Sequence, residues 1–272
     1  MIDAPAGTGE TYTETVICAH LRSMSKLVLC VASTGIAGLQ LPGGWTAHSM
    51  FKLPLVEEKN VSGATCNISA ETQRTEVLRK CDLIVWDEIP MSHRFSVEAL
   101  NLTLQDLMGN TKLMGGKTVL LSGDLRQIGP VVKFGGPAET IDASIISSPL
   151  WKHVPQRMRL TISQRDREDA AYAAFVRNVG IGTQPHTTTD DGVDVSPLAY
   201  VHEPPDLPPD PFVINNTGSF QELINFVYPA ILHADPTEFK ARATLSSTNA
   251  TIDLITRNLN FKQGLVLSLI HI

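Results

Sequence analysis

Two stretches of the chain are almost wholly apolar. Lys26-Leu-Val-Leu-Cys-Val-Ala32 and Leu83-Ile-Val-Trp86 lack the apolar–polar alternation of a half-exposed strand. Unbroken apolar runs of this length suit strands buried on both faces of a parallel sheet. Thr118-Val-Leu-Leu-Ser122, closed by Gly123-Asp124, predicts a third strand, and Arg157-Met-Arg-Leu-Thr161 a further one. Helical spacing lies between them. Ile17, Leu21 and Met24, with Val16 beside them, predict a helix over 11–25, with Thr13, Glu14 and Arg22 on its polar side. Val97, Leu100, Leu104 and Leu107 predict another over 96–108. Residues 33–37 and Leu41-Pro-Gly-Gly44 read as turns, and 56–70 as a polar loop. Strands alternating with helices argue for an α/β domain with a mostly parallel sheet flanked by helices.

The pattern breaks after residue 181. Between 182 and 218, seven prolines interrupt regular structure, with Asp and Thr among them, and predict a long loop or linker. A helix near 220–231, a strand at 243–246 and a helix from about Ala250 then suggest the start of a second α/β unit. The expected division is therefore 1–180, 181–219 and 220–272. The apolar tail 264–272 has no clear period and is expected to be foreign to the fold.

Composition narrows the classes. Of 272 residues, 28 are acidic and 22 basic, for a net charge of −6. No chain-wide basic footprint exists, so any nucleic-acid contact must be local. Cys18, Cys30, Cys66 and Cys81 lack metal-site spacing and read as buried free thiols of a reducing compartment. No apolar run is long enough to cross a bilayer.

The candidate chemistry begins at Ala4-Pro-Ala-Gly-Thr-Gly-Glu-Thr11, which has the spacing of a phosphate-binding loop, G-x-x-x-x-G-K-[ST]. Gly7 and Gly9 allow backbone N–H groups to turn toward phosphate oxygens, and the following helix N-terminus favours an anion. Thr11 stands where a hydroxyl holds Mg²⁺. Ala4 replaces the first glycine, and Glu10 replaces the lysine. Such a loop ordinarily follows a buried strand. Only Ile2 and Asp3 lie between Met1 and the loop, too few for that strand, so a fragment is expected.

Asp87 and Glu88 close an apolar strand, as a metal-holding and a water-orienting carboxylate do in nucleotide hydrolases. Gln127 follows the third strand, as a γ-phosphate sensor or a residue of a plain polar turn. Arg165 has the chemistry of an arginine finger, or of an ordinary surface arginine. Thr46-Ala-His-Ser-Met-Phe51 beside Lys52 either grips a nucleic-acid strand through His48 and Phe51 or anchors a loop through Phe51 and Leu53.

Together these segments resemble the petite-integration-frequency (PIF) family of 5′→3′ DNA helicases of superfamily 1, and most closely its Helitron-like branch. The resemblance rests on segments 3–11, 32–37, 41–54, 86–91, 121–130, 160–165 and 245–249, which follow the family's order. It implies a RecA-like phosphate-loop ATPase domain, with 220–272 beginning a second motor domain. It implies that Gly7, Thr8, Gly9, Glu10 and Thr11 form the ATP loop, and that Thr11 and Asp87 hold Mg²⁺. It assigns Glu88, Gln127 and Arg165 to catalysis, and Thr34, His48 and Phe51 to the single-stranded DNA path. ATP and single-stranded DNA are the implied partners of a monomeric nuclear protein in DNA repair, recombination and telomere maintenance. Glu10, Ser163, Gln164 and Gly129 depart from the family pattern. A carboxylate about 4 Å from a phosphate charge costs on the order of 4 kcal/mol at an effective dielectric near 20. Loss of the lysine's attraction adds about as much again, so ATP binding and hydrolysis are expected to be impaired. The alternative is a non-catalytic nucleotide- or DNA-binding remnant of a transposon-encoded helicase. Another phosphate-loop enzyme, such as a small kinase, is disfavoured by the order of Gln127 and Arg165.

Overall fold

The computed structural model describes residues 1–54, 63–69, 71–154 and 156–183, with Thr187–Thr188, Asp194–Val195, Asp253, Leu254 and Arg257. The chain divides into two compact units, Met1–Gln184 and Pro185–His271. In the first unit, a short strand β1 (Ile2–Asp3) leads through the glycine-rich loop into helix α1 (Glu10–Ser23). Then come β2 (Val28–Ala32), α2 (Gly35–Gln40), β3 (Trp45–Thr46), α3 (Ala47–Phe51), α4 (Gln73–Lys80) and β4 (Leu83–Asp87). The series ends with α5 (Arg94–Met108), β5 (Thr118–Gly123), α6 (Pro137–Ala143), β6 (Met158–Arg159) and α7 (Ala170–Ile181). In the second unit, Thr187–Thr188 pairs antiparallel with Asp194–Val195, inside the predicted linker. The predicted helix at 220–231, strand at 243–246 and apolar tail lie outside the described residues.

The sheet runs β3-β2-β4-β5-β1-β6, with every pair parallel. β2 and β4 are buried at every residue, as their apolar runs require. Period two sorts their side chains between two cores. Leu29, Val31, Ile84 and Trp86 point to one face, where Val97, Leu100 and Leu104 of α5 and Leu78 of α4 cover them. Val28, Cys30, Leu83 and Val85 point to the other, against Cys18, Ile17 and Leu21 of α1.

Several expectations change here. Ile2 and Asp3 do form a strand: Ile2 is aligned with Ser122 of β5 and Met158 of β6, and Asp3 with Gly123 and Arg159. Two residues suffice because neighbours on both sides supply the ladder. The predicted turn at 33–37 is the start of α2, where Thr34 caps the helix by accepting from the Ala37 N–H at 3.3 Å. α4, too, is capped by a threonine, Thr72. On α1, Met24 and Val16 are exposed, whereas Glu14 and Cys18 are completely buried.

All four cysteines are buried free thiols, and Cys18 and Cys30 meet at 3.4 Å. An apolar cavity of about 540 Å³ lies beside β1 and is lined by residues that include Met1, Val119, Leu121 and Met158. Among the described residues, no helix is long and apolar enough to cross a membrane.

Phe51 has no accessible surface, and its ring lies 5.4 Å from that of Trp86. Its assignment to the DNA path is therefore corrected: a ring sealed in the core has no face to offer a base. Phe51→Ala should cost about 3–5 kcal/mol of stability through the cavity it leaves. Chemical denaturation measures this, and an unchanged midpoint would contradict the packing role.

Candidate nucleotide-binding site

The site gathers at the carboxyl ends of β1, β4 and β5, where open α/β sheets bind ligands. β1 delivers the loop, which turns through Gly7 at φ +78° and Gly9 at φ +89°. Both lie in the left-handed region that glycine adopts without strain. Gly9 is the N-cap of α1 and offers no side chain to the first amides of the helix. These donors have no side-chain cap, which leaves them available to an anion. Thr8 is buried, its hydroxyl donating to the Pro5 carbonyl at 2.7 Å, so it closes the loop on itself. Thr11 stands in the first turn of α1, beside Glu10.

β4 ends at Asp87, which is 5% exposed. The Glu88 N–H donates to Asp87 Oδ1 at 2.7 Å, and Glu88 adopts φ +53°, a strained conformation for a residue with a side chain. The segment before α2 supports this strand end: the Ser33 N–H donates to the Asp87 carbonyl at 3.1 Å. The Ser33 hydroxyl also takes the Trp86 indole N–H at 3.2 Å.

Asp124 follows directly after β5, and its carboxylate organises the next turn. Its Oδ2 accepts from the Ala6 N–H of the loop at 3.2 Å and from Gln127 Nε2 at 3.3 Å. Its Oδ1 accepts from Arg126 Nε at 2.8 Å. Arg126 also reaches Asp3 at 3.5 Å. Gln127 is thus tied to the phosphate loop through Asp124.

Arg165 meets the loop from the other side. The Gly7 carbonyl accepts from the Gln164 N–H at 2.7 Å and the Arg165 N–H at 3.2 Å. A Cβ at Gly7 would stand 2.8 Å from Arg165 Cβ, so this glycine is required by close approach as well as by its φ.

Gly7, Gly9, Glu10, Asp87, Glu88, Gln127 and Arg165 therefore converge. Thr34 caps α2 one residue beyond Ser33, and His48 lies exposed on α3. Phe51 is withdrawn into the core, as described above.

Sequence reasoning missed Glu14, Ser122, Asp124 and Arg126. Glu14 has no accessible surface; the Ser122 hydroxyl donates to its Oε1, and its Oε2 has no hydrogen-bond partner. The available signal was spacing: Glu10, Glu14 and Cys18 fall four residues apart and share one helix stripe. Carboxylate oxygens of Glu10, Glu14 and Asp87 lie within 4.8 Å of one another. Burial, then the negative charge of Asp87, Glu14 and Glu88, pushes the Glu10 carboxyl up to about 9. Burial and Asp87 push Glu14 up to about 8, against the Ser122 hydrogen bond, which favours its ionised form. Burial raises Asp87 and Glu88 as well, with Asp87 and Asp124 adding to the rise at Glu88. The raised values of Glu10 and Glu14 favour their protonated forms, which lessens the repulsion expected between Glu10 and a phosphate.

The sign of the resulting pH dependence follows. Glu10 and Glu14 have folded values above the ordinary 4.5, so the folded chain binds more protons than the unfolded one between 4.5 and about 8–9. Their contribution is complete below pH 4.5 and is lost as pH rises through 8 and 9. In metal-free buffer, Tm is expected to fall from pH 6 to pH 9, and Glu14→Gln should flatten the slope. A wild-type Tm that rises over this range would contradict the protonated cluster.

Comparison with known proteins bears on this geometry. The PIF1-like helicase family model matches residues 1–190. The ATP-dependent DNA helicase PIF4 of Trypanosoma brucei brucei is 33% identical over 130 residues, covering 47% of this chain and 16% of that protein. The ATP-dependent DNA helicase PIF1 of Candida albicans is 29% identical over 194 residues, covering 68% and 21%. The chain thus spans about a fifth of the length of these relatives. Among solved structures, Bacteroides Pif1 helicase in complex with ADP-AlF3 and single-stranded DNA shares the fold at TM-score 0.58 and 23% identity, covering 68% of this chain and 42% of that one. Candida albicans Pif1 helicase aligns at TM-score 0.56 and 24% identity, covering 70% and 41%. With a RecA-like parallel sheet, a phosphate loop at its carboxyl edge and a family match over residues 1–190, the chain belongs to the PIF1-like helicase family.

Proposed function

We propose that the chain carries the nucleotide-binding part of an ATP-dependent 5′→3′ DNA helicase, and that Glu10 weakens its hold on ATP. The observation that carries this reading is the convergence of Asp87-Glu88, Gln127 and Arg165 on the Gly7–Gly9 loop, from three separate strand ends. The relatives named above are ATP-dependent DNA helicases, and one Bacteroides neighbour is held with ADP-AlF3 and single-stranded DNA.

The loop backbone fits a polyphosphate, since its glycines have the conformations a cradle needs and the amides at the start of α1 have no side-chain cap. In this reading Thr8 keeps the loop closed, and the amides around Gly9 bind the phosphates. Glu88 orients a water and accepts its proton on a carboxylate oxygen. Gln127, tethered to the loop through Asp124, reads the terminal phosphate. Arg165 sets positive charge beside the loop. Thr11 and Asp87 are the residues that would hold Mg²⁺, which when bound neutralises charge on the phosphate oxygens. Thr34 and the exposed His48 would line the DNA path.

The same proposal carries the wider expectations of the resemblance: a monomeric nuclear protein of the Helitron-like branch, in the family's work of DNA repair, recombination and telomere maintenance. It also takes residues 220–272 as the beginning of a second motor domain.

The side chain at position 10 does not fit a phosphate, and it favours a second reading, a non-catalytic remnant. The missing lysine removes about 4 kcal/mol of attraction, at 4 Å and an effective dielectric near 20. Titration with a fluorescent ATP analogue separates the two readings. Glu10→Lys is expected to bind about 10²–10³-fold more tightly than the wild-type chain, with single-stranded DNA stimulating its hydrolysis of ATP. Tight binding without hydrolysis in Glu10→Lys would favour the remnant. Failure of both proteins to bind nucleotide would sink the nucleotide-site assignment.

A further inference from the structure

We propose that Glu10, Glu14 and Asp87 form a nucleotide-independent site for a divalent cation of calcium size. The ion would sit where the loop's lysine ammonium is missing. It differs from the Mg²⁺ arrangement above in needing no phosphate, and in using two glutamates one helical turn apart on α1.

Geometry supplies the first argument. One carboxylate oxygen from each of the three residues lies within 4.8 Å of the other two. Ca²⁺ takes oxygen ligands at about 2.3–2.6 Å, so oxygens up to about 4.6–5.2 Å apart can share one ion, and the three carboxylates lie within that reach. Mg²⁺ dehydrates reluctantly and is seldom held by protein carboxylates alone, so a set of three carboxylates favours the larger ion. A purely carboxylate donor set suits a hard cation.

The second argument is independent of the clustering. Glu14 is completely buried, and its Oε2 is without a hydrogen-bond partner. The Ser122 hydroxyl fixes the other oxygen, so the carboxylate cannot turn away to find one. An unsatisfied buried oxygen is costly, and more so when charged.

Charge supplies the third. Among the described residues, no Lys or Arg forms an ion pair with Glu10, Glu14, Asp87 or Glu88. The nearby Arg126 is already engaged by Asp124 and Asp3. A bound cation would supply the missing positive charge.

The test uses the whole chain, metal-free and nucleotide-free, with Ca²⁺ as the probe in equilibrium dialysis and thermal unfolding. One Ca²⁺ per chain is expected, with Tm rising by about 5–10 °C at a free concentration near 100 times Kd. Mg²⁺ should bind at least tenfold more weakly. Ser122→Ala, which frees the Glu14 carboxylate, should weaken Ca²⁺ binding roughly tenfold. Glu10→Lys should abolish it, and circular dichroism establishes that the variant is folded. Asp82→Asn, at the opposite end of β4 from Asp87, should bind Ca²⁺ as the wild-type chain does. Absence of Ca²⁺ binding, Mg²⁺ binding as tight as Ca²⁺, undiminished binding by Glu10→Lys, or loss of binding in Asp82→Asn would each overturn the proposal. No nucleotide is present, so a negative result leaves the ATP-site reading standing. Failure of Glu10→Lys to bind nucleotide would likewise leave this site standing.

Discussion

Glu14 lies between α1 and the end of β5 with no water to solvate it. One of its oxygens is held by Ser122 and the other meets Glu10 and Asp87. A carboxyl in this position cannot be ignored energetically. It must keep a proton, pair with a cation, or give up burial, and burial is fixed by Cys18 one turn further along the same stripe. The arrangement of α1 against the sheet therefore sets the chemistry of the loop that opens it. With lysine at position 10, an ammonium would stand among these acids. With Glu10 there, the acids face one another, and their mutual repulsion favours the protonated forms.

The sheet was largely legible from residue order. β2 and β4 announce themselves as unbroken apolar runs because both faces are covered, and α5 shows its apolar stripe at the expected interval. What stayed hidden depended on long-range neighbours. β1 is too short to read as a strand, yet Ser122 and Met158 make it one. α2 begins in Ser-Thr-Gly, which looks like a turn until the threonine is seen as a cap. In the site, the loop and Asp87-Glu88 were readable because their spacing is local. Glu14 was not, because a glutamate in an amphipathic helix ordinarily marks the wet side. Phe51 was misplaced for the converse reason: an aromatic beside a histidine and a lysine suggests a nucleic-acid surface, and only Trp86 across the fold shows that it belongs inside.

Within the site, backbone strain falls at Glu88. Glu88 takes a left-handed conformation directly after a strand buried along its whole length. The Asp87 carboxylate accepts the Glu88 amide, and the Ser33 amide donates to the Asp87 carbonyl, so the distortion is braced from both sides. Such bracing turns the Glu88 side chain away from the direction that simple strand alternation would give it, at the expense of local stability.

The two hydrogen bonds from Gln164 and Arg165 to the Gly7 carbonyl join main chain to main chain. They hold the arginine segment against the phosphate loop with no ligand between them. The chain leaving β6 thus reaches the loop through main-chain atoms, with no side chain between them. Substitutions along 160–166 act as changes of leverage on the loop, even when the altered side chain never touches a ligand.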